Sequence, residues 1–258
     1  MIFDSHVHYD DEAFDGDREE VFQKIQAEGV GMVVDIGADI ESTKMAVELS
    51  EKYDFIYVAA GVHPSEIASL TEEDMEWLKQ VSQKEKVVAI GEIGLDYHYD
   101  NIDKELQKKW FKRQLGLARE TGLPVCIHSR DAAQDTLDIM QAANSSEIGG
   151  VIHCFSYGWD IAKIYLDMGF YLGIGGVLTF KNSKKLKEVA QKTPLERIVL
   201  ETDAPYLAPE PYRGKRNVSH YLSYVVDELA AIKGVGREGI MQATWDNAMS
   251  LYRIKGQA

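Results

Sequence analysis

The sequence predicts an α/β protein with a (β/α)8 barrel fold, and three observations lead to this fold class. Eight short apolar runs rich in β-branched residues recur along the chain. Segments with helical periodicity separate these runs, and strands that alternate with helices indicate parallel βαβ units. The chain has 258 residues, and a closed barrel of eight such units typically has about 250.

The predicted strands lie at intervals that leave room for a helix after each one. They cover residues 1–8, 32–37, 55–63, 87–93, 124–128, 150–155, 171–176 and 198–203. Val21, Phe22 and Ile25 mark the apolar face of the first helix, and Trp110 and Leu115 mark that of the fourth. Two final helices are predicted at residues 219–232 and 237–252.

A doubly wound open sheet is the alternative architecture. The first predicted strand is not followed by the glycine-rich fingerprint that binds phosphate in that fold. The sequence also has no internal repeat, low-complexity tract or linker. We therefore expect one domain that spans residues 1–258.

The composition is that of an ordinary globular protein, with 45% apolar and 27% charged residues. No apolar run approaches the roughly 20 residues that span a bilayer, and the N-terminus does not resemble a secretory signal. Without an export signal, Cys126 and Cys154 are expected to be reduced thiols. We expect a cytoplasmic monomer that does not associate with membranes.

The net charge of −14 limits the classes of partner. So acidic a chain repels the nucleic-acid backbone at long range, which argues against broad electrostatic binding of DNA. A nuclease that contacts phosphate locally, through metal ions, remains compatible with this charge. Basic residues cluster at Arg213, Lys215 and Arg216.

Histidines and carboxylates finish most of the predicted strands. In a (β/α)8 barrel the carboxyl ends of the strands form the active site, so these side chains should converge on one rim. Imidazole and carboxylate groups are ligands for divalent metals such as zinc. Single members have structural alternatives, such as a turn at the His63–Pro64 step, but together they predict a metal centre. The residues are His6, His8, His63, Glu92, His128, His153 and Asp203.

Strand alternation places other polar residues relative to these ligands. Asp4 and Glu201 each precede a predicted ligand by two residues, so both should point inward one layer deeper. Such buried carboxylates need partners, either imidazole N–H groups and backbone donors or a buried lysine or arginine. Cys126 also points inward but too deep to be a ligand, whereas Cys154 should face the helices.

Seven motifs in this order resemble the TatD family of metal-dependent hydrolases, within the amidohydrolase-like superfamily. They are FDSHVH (3–8), GVHP (61–64), GEIGLDY (91–97), PVCIHSR (124–130), HCFS (153–156), ETDAP (201–205) and RGKRN (213–217). The resemblance implies a TIM-barrel hydrolase that is similar to metal-dependent deoxyribonucleases, several of which are 3′–5′ exonucleases in DNA repair or degradation. Tyr157 and Ser219 depart from the family pattern, where Gly and Pro are frequent, and both are expected in substrate-side loops.

The resemblance also implies how the residues share one or two metal ions. His6, His8 and Asp203 would hold one metal, and His128 and His153 the other. Glu92 would bridge the two. Magnesium, manganese, zinc, iron and nickel are the candidates, although magnesium tolerates imidazole poorly.

Such a site predicts the hydrolysis of a phosphodiester by a metal-activated water. Two divalent ions carry more charge than Glu92 and Asp203 offset, which favours an anionic substrate. Asp203 can also accept the proton of the attacking water. Substrate phosphates are expected to contact a further set of residues, namely His63, Arg130, Lys181, Arg213 and Lys215.

Two other functions remain open at this point. One is hydrolysis of an amide, lactone or aminoacyl ester, although many related barrels bridge their metals with a carbamylated lysine and no strand-end lysine replaces Glu92 here. The other is a metal-binding scaffold without catalysis. The leading prediction is a metal-dependent deoxyribonuclease that binds DNA transiently.

Overall fold

The computed structural model describes residues 1–99 and 103–255. It contains eight parallel strands with helices around them, so the predicted barrel fold is confirmed. The strands are β1 (Ile2–Val7), β2 (Val30–Ile36), β3 (Ile56–Ala60), β4 (Val87–Asp96), β5 (Val125–Arg130), β6 (Gly150–Ile152), β7 (Tyr171–Ile174) and β8 (Ile198–Leu200).

Side-chain caps define where several of the helices begin. Asp39 and Ser42 form a capping box at the start of α2, and Thr71 and Asp74 form another at the start of α3. Among the described residues, no helix is both long and apolar enough to cross a membrane. The helices are α1 (Arg18–Ala27), α2 (Ile40–Lys52), α3 (Glu72–Val81), α4 (Lys104–Thr121), α5 (Ala133–Ala142), α6 (Trp159–Asp167), α7 (Lys184–Lys192), α8 (Leu222–Lys233) and α9 (Arg237–Leu251).

The sheet follows chain order from β1 to β8, and the segment after β8 joins it back to β1. The backbone N–H of Asp203 donates to the carbonyl of His6 at 3.0 Å. The N–H of His8 donates to the carbonyl of Ala204 at 2.8 Å. This closure places Asp203 directly beside the two β1 histidines.

Every strand ends one to three residues away from the position expected, and three of these differences bear on the site. β4 continues to Asp96, whereas β6 and β8 stop at Ile152 and Leu200. Cys154 and Asp203 have φ angles of 44° and 57°, in the left-handed region that strands do not use. The alternation of inward-facing and outward-facing side chains along a strand therefore does not extend to Cys154 or Asp203.

The interior of the barrel is packed with side chains rather than open. Strands from all around the barrel contribute to one apolar cluster, including Phe3, Ala59, Cys126 and Val199. Residues from opposite strands can meet only inside the barrel. Tyr252, just after α9, stacks on Phe3 with ring centroids 6.2 Å apart and closes the lower end. Space for a ligand is thus confined to the upper end, at the carboxyl ends of the strands.

Candidate metal centre

A cleft of about 680 Å³ opens at the carboxyl ends of the strands. Four histidines line it, together with one arginine and six carboxylates. Without bound cations, so many carboxylates would repel a phosphate group. The carboxylates are Asp10, Asp11, Glu66, Glu92, Asp96 and Asp203.

The β1 histidines aim the same ring nitrogen at one point. The Nε2 atoms of His6 and His8 are 3.2 Å apart. His8 Nδ1 lies 2.8 Å from the carbonyl oxygen of Ile36. Because a carbonyl can only accept, His8 carries a proton on Nδ1, and Nε2 is the nitrogen that faces the ligand cluster. His6 Nδ1 contacts the thiol of Cys126 at 3.2 Å, so Cys126 positions this ring from below.

Asp203, which follows β8, completes this group. Its Oδ1 atom lies 3.7 Å from His6 Nε2 and 3.5 Å from His8 Nε2. The three residues thus offer two nitrogens and one oxygen within 4.8 Å of one another. This is the combination that the sequence predicts for one metal.

Asp4 binds Thr202, the residue before Asp203, and so helps to position Asp203. The backbone N–H and the hydroxyl of Thr202 donate to Asp4 at 2.9 and 2.6 Å. Ser219 donates its hydroxyl to the same carboxylate at 2.6 Å. Asp4 therefore uses backbone and hydroxyl donors and no imidazole. The expectation that Ser219 lies in a substrate-side loop is wrong, because Ser219 is fully buried in this network.

Glu92 stands between two sets of histidines. Its Oε2 atom is 3.4 Å from His6 Nε2 and 3.9 Å from His8 Nε2. Its Oε1 atom is 2.7 Å from His128 Nδ1 and 3.7 Å from His153 Nε2. Each oxygen thus faces a different set, as a carboxylate that bridges two metals must.

His128 is oriented by a carboxylate that the sequence analysis did not assign. Its Nε2 atom lies 3.1 Å from Oδ2 of Asp96, which leaves Nδ1 directed at Glu92. Burial lowers the pKa of His128, but hydrogen bonds to Asp96 and Glu92 outweigh burial and raise it. Histidine ligands of metals usually have such a carboxylate on the second ring nitrogen. Asp96 has this relation to His128.

His153 has the equivalent arrangement with Glu201. Its Nδ1 atom is 3.2 Å from Oε1 of Glu201, and its Nε2 atom is 3.7 Å from Oδ1 of Asp203. The backbone N–H of Cys154 also donates to Glu201, at 2.5 Å. The expected orientation of Cys154 towards the helices is wrong. Its left-handed backbone turns the thiol to the cleft, where it lies within 4.8 Å of ligand atoms of His153 and Asp203.

His63 presents a donor, not a lone pair, to the cleft. The backbone N–H of Ser65 donates to His63 Nδ1 at 3.1 Å, so Nδ1 is an acceptor and the ring proton is on Nε2. Burial and the nearby His128 lower the pKa of His63 to about 3, which keeps the ring neutral. Its Nε2 atom is 3.9 Å from Oε1 of Glu92. This tautomer suits a hydrogen bond to a substrate oxygen better than metal ligation.

The carboxylates hold two of the other imidazoles in the charged form. Burial lowers the pKa of His8, but Asp203 and Glu92 outweigh it and raise the pKa to about 10. Burial likewise lowers the pKa of His153, and the charges of Glu201 and Glu92 raise it to about 9. In exchange, burial raises the pKa values of Glu92 and Asp203, but the surrounding histidines hold both below their usual range. A bound cation would replace these protons.

The residues of the cluster fit one or two divalent metal ions. The donor atoms are imidazole nitrogens and carboxylate oxygens, which suit zinc, manganese, iron and nickel. On His8, His128 and His153 the second ring nitrogen faces an oxygen outside the cluster, so the remaining nitrogen is fixed toward its centre. Such fixed tautomers and ring orientations are what metal sites require.

The residues expected to bind phosphate separate into two groups. His63 and Arg130 line the cleft. Lys181, Arg213 and Lys215 are not among the residues that line it. The Arg213 guanidinium instead lies 4.4 Å above the Phe180 ring, and Lys215 Nζ lies 5.7 Å from the Tyr212 ring.

Tyr157 is also outside the cleft, so the expectation that it belongs to the substrate side is wrong. Its hydroxyl lies 3.0 Å from the hydroxyl of Ser129 and accepts the backbone N–H of Ala132 at 3.2 Å. These bonds fasten the segment after β6 to the end of β5 and to the residues that follow it. Arg130 is the last residue of β5 and lies between the two contacts, so Tyr157 influences the cleft only indirectly.

Sequence reasoning missed several residues of the cleft. Asp96 shares the strand face of Glu92, and would have been found had β4 been extended by three residues. Asp10, Asp11, Tyr99 and Tyr206 follow strand ends without a periodic pattern, and no local signal in the sequence identifies them. Their positions depend on loop conformation.

Comparisons with known proteins agree with this geometry. A family model described as "TatD related DNase" matches residues 3–253. YabD of Bacillus subtilis, described as an uncharacterized metal-dependent hydrolase, is 45% identical over 98% of this chain and 100% of its own. YcfH of Escherichia coli K12 has the same description and is 36% identical, over 98% of this chain and 96% of its own.

A solved structure is similar throughout its length. The crystal structure of YJJV, a TatD homologue from Escherichia coli K12, superposes with a TM-score of 0.93 and 30% sequence identity. The match covers 98% of both chains. The resemblance predicted from the motifs is thereby confirmed. Since the family model spans nearly the whole chain and its relatives match it from end to end, the chain belongs to the TatD-related DNase family of metal-dependent hydrolases.

Proposed function

We propose that this protein is a metal-dependent phosphodiesterase that hydrolyses DNA. The observation that carries the proposal is the position of Glu92, whose two oxygens face two different sets of histidines. Paired metal sites of this kind are used for in-line displacement at phosphorus. The family description as a DNase gives independent support.

The charge directly beside the metals favours a phosphodiester over a neutral amide or ester. At that position two divalent ions would carry more positive charge than Glu92 and Asp203 offset, and an anionic substrate would balance this local excess. No lysine is among the cleft-lining residues of the described chain, so none could be carbamylated there to bridge metals. The amide, lactone or aminoacyl ester alternative thus has no observation in its favour.

The residues of the cleft have distinct parts in this proposal. Bound divalent ions would lower the pKa of a water molecule to about 7 and offset charge on the phosphate. Asp203 is held ionised by the neighbouring imidazoles, so it can accept the proton of the attacking water. His63 would donate from Nε2 to a phosphate oxygen, and the exposed guanidinium of Arg130 can donate two parallel hydrogen bonds to two phosphate oxygens.

The finer assignment follows from the family resemblance. We propose that a monomer binds DNA transiently and removes nucleotides in the 3′–5′ direction, in DNA repair or degradation. The acidic chain supports brief contacts, because it gains little from backbone phosphates away from the cleft.

The test is hydrolysis of a labelled single-stranded oligodeoxynucleotide by protein treated with EDTA and then supplied with Mn²⁺ or Mg²⁺. Activity should disappear on chelation and return with metal. His128→Ala should be slower by at least about 100-fold, because outer partners of ligands alone cost 10–100-fold. His220→Ala, outside the cleft, should match the wild type. Activity that survives chelation, or faster turnover of amide or ester panels, would contradict the proposal.

A further inference from the structure

The exposed apolar side chains of this protein are concentrated at the mouth of the cleft. Among the described residues, five large hydrophobic side chains are exposed, and three of them line the cleft. Scattered exposed apolar residues are ordinary, but a group at one concave site indicates a binding surface. The three are Tyr99, Tyr206 and Leu207.

The two tyrosines stand on opposite sides of the metal-ligand cluster. Tyr99 follows β4, and Tyr206 follows β8. Because these strands are four positions apart in an eight-stranded barrel, their ends face each other across the cleft. Glu92 of β4 and Asp203 after β8 lie between them. A phosphate bound at the cluster would therefore have one aromatic ring on each side.

Each ring is held in place and still accessible. The hydroxyl of Tyr206 donates to Oδ2 of Asp11 at 3.0 Å, and its ring centroid is 6.4 Å from that of His8. The Arg130 guanidinium lies 5.5 Å from the Tyr99 ring centroid. Tyr99 is 58% exposed and Tyr206 is 54% exposed. Neither ring is buried in the fold, so a ligand can cover both.

Because the chain and the cleft are negatively charged, stacking on aromatic rings is a main source of affinity for a nucleic acid. The chain carries a net charge of −14, and six carboxylates line the cleft against one arginine. Affinity from backbone phosphates is therefore small away from the metals. Stacking of bases on aromatic rings needs no charge and tolerates any base. Partial burial and Asp11 raise the pKa of Tyr206 to about 12, so its phenol adds no negative charge at neutral pH.

We propose that Tyr99 and Tyr206 bind, by stacking, the two nucleobases that flank the scissile phosphate. The inference rests on the proposed function and specifies its substrate as unpaired nucleotides. A base within a duplex has both faces covered by its neighbours, so a duplex end must fray before it can enter. The two tyrosines determine specificity and take no part in the chemical step.

The test compares two substrates that contain the same phosphodiester. One is the dinucleotide thymidylyl-(3′→5′)-thymidine, and the other has abasic sites in place of both bases. With Mn²⁺-loaded protein, the dinucleotide should have the lower KM, by about 5- to 100-fold for each stacked base. Tyr99→Ala and Tyr206→Ala should each reduce this KM ratio by such a factor, and Tyr206→Trp should keep it. Val235→Ala removes an exposed apolar side chain outside the cleft and should leave the ratio unchanged.

The outcomes separate this inference from the proposed function. Equal KM values for the two substrates, or a ratio that both alanine variants preserve, would overturn the stacking role while leaving the phosphodiesterase intact. If neither substrate is hydrolysed, the proposed function fails, and calorimetric titration of the same Mn²⁺-loaded proteins with both compounds replaces KM. Base-dependent binding that the alanine variants lose supports stacking, and base-independent binding refutes it.

Discussion

The chemistry of single residues in the cleft depends on which nitrogen of each imidazole carries a proton. His8 donates to a backbone carbonyl, His128 faces Asp96 and His153 faces Glu201. His63 differs, because a backbone N–H donates to it and reverses its tautomer. The structure therefore distinguishes candidate ligands from a candidate substrate donor by the group that faces the second ring nitrogen, an oxygen for these three ligands and an N–H for His63.

Asp96→Asn tests this reasoning at one position. An asparagine keeps the size of the side chain but loses the charge that orients and polarises the His128 ring. We expect metal affinity to fall by about 10- to 100-fold, measured by competition with a coloured chelator. Asp54→Asn, on the exposed surface, is the matched control. Equal affinities for the two variants would show that Asp96 does not position His128.

Metal affinity should depend on pH because metal and protons compete for the same nitrogens. The pKa values of His8 and His153 are raised to about 10 and about 9, so both rings must lose a proton on metal binding. Apparent affinity should therefore fall as the pH is lowered from 9 to 7, by up to about tenfold per unit for each proton released. In the metal-free protein the stability of the fold changes with pH in the opposite direction to the metal affinity. These raised pKa values stabilise the fold at low pH, and this contribution is lost as the pH rises through 9 to 10.

Calorimetric titration with Mn²⁺ in buffers of different ionisation enthalpy measures the number of protons released. A heat of binding that is independent of the buffer, with affinity constant between pH 7 and 9, would contradict the assigned protonation states.

The limits of sequence reasoning at this scale are clear from Cys154 and Asp96. The alternation of side chains along β6 predicted that Cys154 faces the helices. Its left-handed φ turns the side chain to the cleft instead. Asp96 was missed because the predicted strand ended three residues early. In contrast, the six predicted metal ligands come together in the structure, since strand order brings the strand ends and the residues next to them to one rim.

At the scale of elements, the contact between β4 and β5 sets the position of two candidate ligands. Gly94 pairs with His128 in this register, at a φ of 148°. A Cβ atom at Gly94 would lie 1.9 Å from the carbonyl oxygen of His128. The two strands can approach only because this residue has no side chain.

Gly94→Ala should therefore lower the free energy of unfolding by about 3 kcal/mol or more, since backbone strain and overpacking each cost about 1–3 kcal/mol. Gly116→Ala is the matched control in α4, where a Cβ atom would meet nothing within 4 Å. That substitution should raise stability by about 0.5–1 kcal/mol. Urea denaturation followed by circular dichroism measures both. Similar effects for the two variants would mean that the β4–β5 approach does not require Gly94.

Element boundaries were harder to predict than element order. The strand-and-helix alternation identified all eight strands, because apolar β-branched runs and helical periodicity are local signals. β6 and β8 are shorter than expected since their last residues leave the sheet to form the cleft. Closure by the segment after β8 comes from a pairing between residues nearly two hundred positions apart, which no local pattern contains.

At the scale of the whole molecule, the metal-ligand cluster lies in a cleft lined by six carboxylates. Bound metal ions would balance this negative charge and that of an anionic substrate. Removing metal should lower the melting temperature by several degrees, because an ion present at 100 times its Kd stabilises the fold by about 2.7 kcal/mol. Differential scanning calorimetry before and after EDTA treatment, with Mn²⁺ added back, measures the change. Identical melting curves would argue against metal binding to the folded chain.

The central claim is that Glu92 bridges two metal ions on which a phosphodiester binds. The most direct measurement is anomalous diffraction from a crystal that contains Mn²⁺ and a phosphorothioate analogue of thymidylyl-(3′→5′)-thymidine. We predict two anomalous peaks that share Glu92, one beside His6, His8 and Asp203 and the other beside His128 and His153, with the phosphorus atom next to both. Metal bound outside this cluster, or a dinucleotide whose phosphate lies away from the metals, would contradict the account.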